Sequence, residues 1–114
     1  MQKAIERNPN HPGWYFAAAG IAHLLTEKPE LAIRDLEQWS QSAPSRDGPY
    51  MFLASAYGLA GQAEAAAAAL KKRNRLGGGK MTFYSVSRTW PMAPEQQAIF
   101  FEGLRIAGMK DMPG

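Results

Sequence analysis

The chain has no cysteine among its 114 residues. That excludes disulfides, thiolate nucleophiles and zinc–thiolate centres, and it suits a reducing compartment. Long apolar runs are absent too: no segment approaches the roughly 18 continuous apolar residues of a membrane span. The opening "MQKAIERNPN" lacks the apolar core of a signal peptide, so a cytoplasmic location is expected and membrane insertion is not. Strand signals are scarce. Only "MTFYSVSRTW" concentrates β-formers, and no stretch alternates cleanly. An excess of one charge is also missing. Thirteen Lys and Arg against ten Asp and Glu leave a net +3, too weak to argue for nucleic acid.

What the chain has is helix signal, cut at short intervals by breakers. Residues 1–8 read as a helix end stopped by Pro9, and "NPNHPG" as a breaker cluster. A helix over 14–26 ends before Pro29. Pro29 suits a first helical turn and opens a helix at about 30–42. "SAPSRDGP" breaks the chain again. Asp47 is placed to N-cap a helix over about 48–60, with Pro49 in its first turn. Gly61 interrupts it, and the alanine-rich 62–75 has the highest helix propensity in the chain. Three glycines follow. Residues 81–89 read as helix rather than strand, and 94–107 as a last helix with Gly108 as its C′ residue.

Short helix pairs invite a search for repeats. A shift of 34 positions superposes Ala22 on Ala56, Leu25 on Leu59, Glu30 on Glu64, Ala32 on Ala66 and Leu36 on Leu70. It also brings Phe16 onto Tyr50, Ala19 onto Leu53, Gly20 onto Ala54 and His23 onto Tyr57. The positions make physical sense. A large residue (Phe16, Tyr50) fills space between paired helices, and a small one a turn later (Gly20, Ala54) lets them approach. Ala32 and Ala66 repeat that demand on the second helix, ahead of a packing leucine.

In period and pattern these positions resemble the tetratricopeptide signature. The resemblance implies an all-α fold: a superhelix of antiparallel helix pairs with a C-terminal helical cap. It divides one domain, 1–114, into an N-terminal helix end and loop (1–12), two repeats (13–46 and 47–80) and capping helices (81–114). Trp39 and Arg73 depart from it, standing where a small residue is usual. A narrower likeness is carried by "NHPGWY" at 10–15 and "EGLRIAGM" at 102–109. These resemble the C-terminal helical-repeat region of bacterial class III adenylate cyclases and related regulators. The cyclase's metal-binding aspartates and nucleotide-binding residues have no counterparts here. The expected function is therefore a non-catalytic protein–protein interaction or regulatory module of a signalling protein, and the chain is not expected to be an enzyme. Homo-oligomerisation is the alternative, and a small ligand- or nucleotide-binding domain a weaker third.

Repeat register assigns Trp14, Ala17, Ile21 and Leu24, then Met51 and Ser55, to the concave side formed by the first helix of each pair. This apolar lining lacks the Lys/Asn/Arg set with which chaperone-binding members of the family grip peptide carboxylates. An amphipathic helix or apolar segment suits it as partner. Lys71, Lys72, Arg73, Arg75 and Lys80 form a basic patch. Cations there complement the macrodipole at a helix C-terminus, and an acidic protein surface is the partner they would fit. No stacking platform of aromatics accompanies them, so nucleic acid is not expected.

Chemistry-bearing patterns fail on inspection. "RLGGGKMT" is no phosphate loop: Met81 stands where the magnesium-binding hydroxyl belongs, and Asn74 where the first glycine does. His11 and His23 lack a ligand set of metal-site spacing, and His23 is expected to pack between helices. Asp35 and Glu37 are two apart on a helix and do not face each other. No catalytic residue, metal or cofactor is expected.

Overall fold

The computed structural model describes residues 11–79 and 92–109, together with Thr82, Val86 and Trp90, with side chains from Trp14 onward. All regular structure among the described residues is helical. Five helices follow in order: α1 (His11–Leu25), α2 (Pro29–Ser42), α3 (Gly48–Leu59), α4 (Ala63–Leu76) and α5 (Pro94–Ala107). Neighbours in sequence pack together: α1 on α2, α2 on α3 and α3 on α4. α5 lies chiefly on α3, with α4 and α1 at its sides.

The same shift of 34 positions relates several helix bounds and the hydrogen bonds of two turns. It carries both ends of α2 onto the ends of α4, Pro29 onto Ala63 and Ser42 onto Leu76, and it carries the end of α1 at Leu25 onto that of α3 at Leu59. After α1, the backbone N–H groups of Thr26, Glu27 and Lys28 donate to Ala22 O, Leu24 O and His23 O. After α3, those of Ala60, Gly61 and Gln62 donate to Ala56 O, Gly58 O and Tyr57 O, so every donor and acceptor moves by the same offset. These bonds satisfy carbonyls that a helix end leaves orphaned, and they require a left-handed residue. Gly61 supplies it at φ 82°. Glu27 supplies it at φ 61°, the one non-glycine positive φ among the described residues.

Burial follows the same register. α2 buries Ala32, Asp35, Leu36 and Trp39, a helical stripe at i, i+3, i+4 and i+7. α4 buries Ala66, Ala69 and Leu70, and Arg73 completes the stripe with its side chain 15% exposed. Gly20 and Ala54 are buried, and a Cβ on Gly20 would lie 2.6 Å from Leu36 Cδ2. α3 is apolar all round, as its place between α2, α4 and α5 requires. Phe52 on α3 is the hub of the core, with ring centroids 6.2 Å from Trp39, 5.1 Å from Trp90 and 5.1 Å from Phe100. Burying such a side chain contributes about 1.5–3 kcal/mol relative to leaving it in water.

α5 crosses α3 at small residues. A Cβ on Gly103 would overlap the Ser55 carbonyl, 2.7 Å from its carbon, and one on Gly58 would overlap the carbonyl of Gly103. Ser55 Oγ closes the crossing by donating to Phe100 O at 2.7 Å. Gly108, at φ 112°, then ends α5, and the Met109 N–H donates back to Leu104 O.

Two expectations about helix starts need correction. α1 begins at His11 rather than 14, because Pro12 falls in the first turn, where its missing N–H costs nothing. Asp47 makes no side-chain cap to α3; its backbone is already helical at φ −79°, ψ −25°, and its carboxylate turns to Arg73. The Pro94–Ala107 helix and its glycine stop stand where the sequence put them. Of the helix expected over 81–89, Val86 is helical, with the Val86 N–H donating to Thr82 O and the Trp90 N–H to Val86 O. Thr82, the other described position of that stretch, is not helical, and the rest of it, like the helix end at 1–8, lies outside the described residues.

Candidate interaction surface

The residues that repeat register assigned to a concave side divide into two sets. Leu24 (0% exposed), Met51 (3%) and Ser55 (0%) are sealed in the core. α5 covers Ser55 directly, so in this arrangement a partner meets none of these three. Ala17 and Ile21 are half-buried against the core, while Trp14 is 64% exposed beside Tyr15. The structure therefore leaves the outer part of the assigned lining, on α1, accessible and closes the inner part. At Ser55 the cause is the α3–α5 crossing, which joins it to Phe100, 45 residues on in the sequence.

The basic stretch also divides. Arg73 is drawn inward: its Nη2 lies 3.1 Å from Asp47 Oδ2 and its Nη1 3.0 Å from Gly79 O, while its Nε is buried without a partner. It joins the end of α4 to the start of α3 and walls a cavity of about 250 Å³ with Trp39, Met51 and Trp90. Lys72 sits over the Tyr50 ring, 4.9 Å from its centroid. That contact contributes about 0.5–1 kcal/mol at an exposed site. Lys71 and Arg75 are exposed, one turn apart on α4. Lys80 lies outside the described residues.

Two polar pairs span the helices. His23 Nδ1 and Asp35 Oδ2 are 2.8 Å apart, between α1 and α2. Tyr57 on α3 donates to Glu37 Oε2 on α2. Burial pushes the Tyr57 hydroxyl well above the ordinary tyrosine range, and the bond to Glu37 and its negative charge add to the shift. The packing role expected for His23 misses its carboxylate partner. Asp35 stands on the following helix, and the signal for it is distance from the turn: the two residues face each other only once α1 and α2 are folded antiparallel.

A second recess was not legible in the sequence. Apolar Pro29, Leu59, Ala98 and Ile99 line it together with the acidic Glu27 and Glu102, around an open volume of about 430 Å³. It belongs to three segments at once: the α1–α2 turn, the end of α3 and the outer face of α5. Glu102 is held by Arg105 at 2.6 Å, whereas Glu27 forms no side-chain hydrogen bond or ion pair among the described residues.

Among the described residues no three His, Cys, Asp or Glu side chains gather to hold a metal ion, and no helix is long and apolar enough to cross a membrane. Comparison with family models, curated proteins and solved structures finds no significant match to this chain.

Proposed function

We propose that this chain is a non-catalytic protein–protein interaction or regulatory module, a short tetratricopeptide-like superhelix of two helix pairs with a C-terminal helical cap. The observation that carries the reading is a single repeat period held jointly by residue type, helix bounds and turn hydrogen bonds. Stacked helix pairs bury a continuous core and offer extended surfaces for partners. The likeness of "NHPGWY" and "EGLRIAGM" to the tails of class III adenylate cyclases supports placing the module within or beside a bacterial cytoplasmic signalling protein. Any cyclase chemistry would belong to a domain outside these residues.

The test is capture of a protein partner by the domain, alone and within any parent protein, followed by calorimetry with the purified partner. The expected result is saturable binding weakened by Trp14→Ala or Ile21→Asp. Failure of both forms to bind any protein, itself included, overturns the reading. A second reading, homo-oligomerisation, is favoured by the complementary charges of the acid-lined recess and the α4 end.

A further inference from the structure

We propose that the acid-lined recess receives the C-terminal end of α4 from a second copy of this chain, in a weak head-to-tail association. The inference rests on reading the chain as an interaction module and names one of its partners.

Each half of the contact is on the surface. The recess offers an apolar lining, with Leu59 and Ile99, beside the acidic Glu27. The last turns of α4 offer the complement: Leu76 is 36% exposed, beside exposed Arg75 and, one turn earlier, exposed Lys71. Lys71 and Arg75 stand at i and i+4, where like charges repel. Neither meets an acidic partner among the described residues. An apolar side chain flanked by cations matches an apolar lining flanked by a carboxylate in both respects.

Glu27 sharpens the argument. The equivalent residue of the next turn, Gly61, adopts φ 82° at no steric cost, whereas Glu27 is held at φ 61°, lines the recess and has no side-chain partner among the described residues. The hydrogen bonds of the turn hold that backbone in place, and the side chain it brings to the recess is open to a cation from outside.

The occupant cannot be the same molecule's α4. That helix leaves the Gly61 turn, beside Leu59, and its 14 residues carry Leu76 about 20 Å away from the recess end of the molecule. Donor and acceptor are different surfaces, so the contact is heterologous and leaves one recess and one helix end free on every dimer. A recess this small predicts a weak interface, below the roughly 1,200 Å² of stable complexes.

Sedimentation velocity and light scattering on the full chain, from about 10 μM to about 1 mM at low salt, test this. Wild type should self-associate with concentration, and association should weaken at least about tenfold between about 0.05 and 0.5 M salt, because the charges are exposed. Glu27→Lys alone, and Arg75→Glu with Leu76→Asp, should each weaken it at least about tenfold while circular dichroism stays unchanged. Mixing the two variants is decisive. One keeps its helix end and the other its recess, so the mixture should form a heterodimer that stops at two chains. A wild-type monomer throughout, association indifferent to both variants, or a mixture that stays monomeric overturns the proposal. If wild type is monomeric but binds another protein, the self-association falls and the interaction reading stands. If it binds neither, both fall.

Discussion

Gly103→Ala gives a prediction whose sign depends on how α5 meets α3. In a helix interior, alanine is favoured over glycine by about 0.8–1.0 kcal/mol. A free or loosely attached α5 would therefore be stabilised by the change. Against that stands the crossing: the new Cβ would overlap the Ser55 carbonyl, 2.7 Å from its carbon, with the Ser55 hydroxyl beside it. Both obstacles belong to a buried helix, and α5 has to retreat. Retreat stretches the Ser55–Phe100 hydrogen bond, worth about 1 kcal/mol, and opens space around fully buried Phe100 and Leu104. Overpacking of this kind costs typically 1–3 kcal/mol, so the net expectation is destabilisation of about 1–3 kcal/mol after the gain in propensity. Gly58→Ala should behave alike, since its Cβ meets the Gly103 backbone. Gly20→Ala should also destabilise, because its Cβ meets Cδ2 and Cγ of Leu36, a fully buried side chain with little room to move. Urea unfolding followed by circular dichroism measures all three. A Gly103→Ala protein as stable as wild type, or more so, would refute the seating of α5 on α3.

Two further predictions concern single groups. Glu27→Gly should stabilise the chain by about 0.5–1 kcal/mol, because glycine accepts the left-handed backbone that costs other residues roughly 1–2 kcal/mol; a fall in the urea midpoint would show that Glu27 has an internal role. Tyr57 keeps its proton in the folded state to a higher pH than in the unfolded chain, where it ionises near about pH 10. Its contribution is complete below that pH and is lost as pH rises above it, so the urea midpoint should fall between about pH 10 and 11 more steeply than in Tyr57→Phe. Equal slopes in the two proteins would contradict this.

The local part of the fold was legible. Pro29 and Pro94 mark helix starts because proline is tolerated only in the first turn, and Gly61 and Gly108 mark stops because the backbone there turns left-handed. The register of α2 and α4 could be read from Ala32, Leu36, Ala66 and Leu70 because one helical stripe repeats. What escaped was set by contacts between distant residues. Asp47 has good capping chemistry, yet Arg73, at the far end of the next helix, takes its carboxylate. Glu27 gives no sign in the sequence of sharing a backbone conformation with Gly61; the hydrogen bonds of the turn impose it. Ser55, Gly58 and Gly103 are small residues whose meaning appears only where two helices cross.

That crossing ties the two candidate surfaces together. α5 covers the inner part of the assigned lining, over Ser55, with its Phe100–Gly103 face. With its outer face it contributes Ala98, Ile99 and Glu102 to the acid-lined recess, whose remaining walls come from Glu27, Pro29 and Leu59. One helix thus hides one surface by the same placement that builds the other. A partner helix competing for Ser55 and Gly58 would have to lift α5, and lifting α5 removes half of the recess. Occupation of Ser55 and Gly58 would thus be incompatible with an intact recess, whereas the exposed α1 face at Trp14 stays accessible with α5 in place. A substitution that loosens the crossing should therefore weaken self-association through the recess even though it touches none of the recess residues.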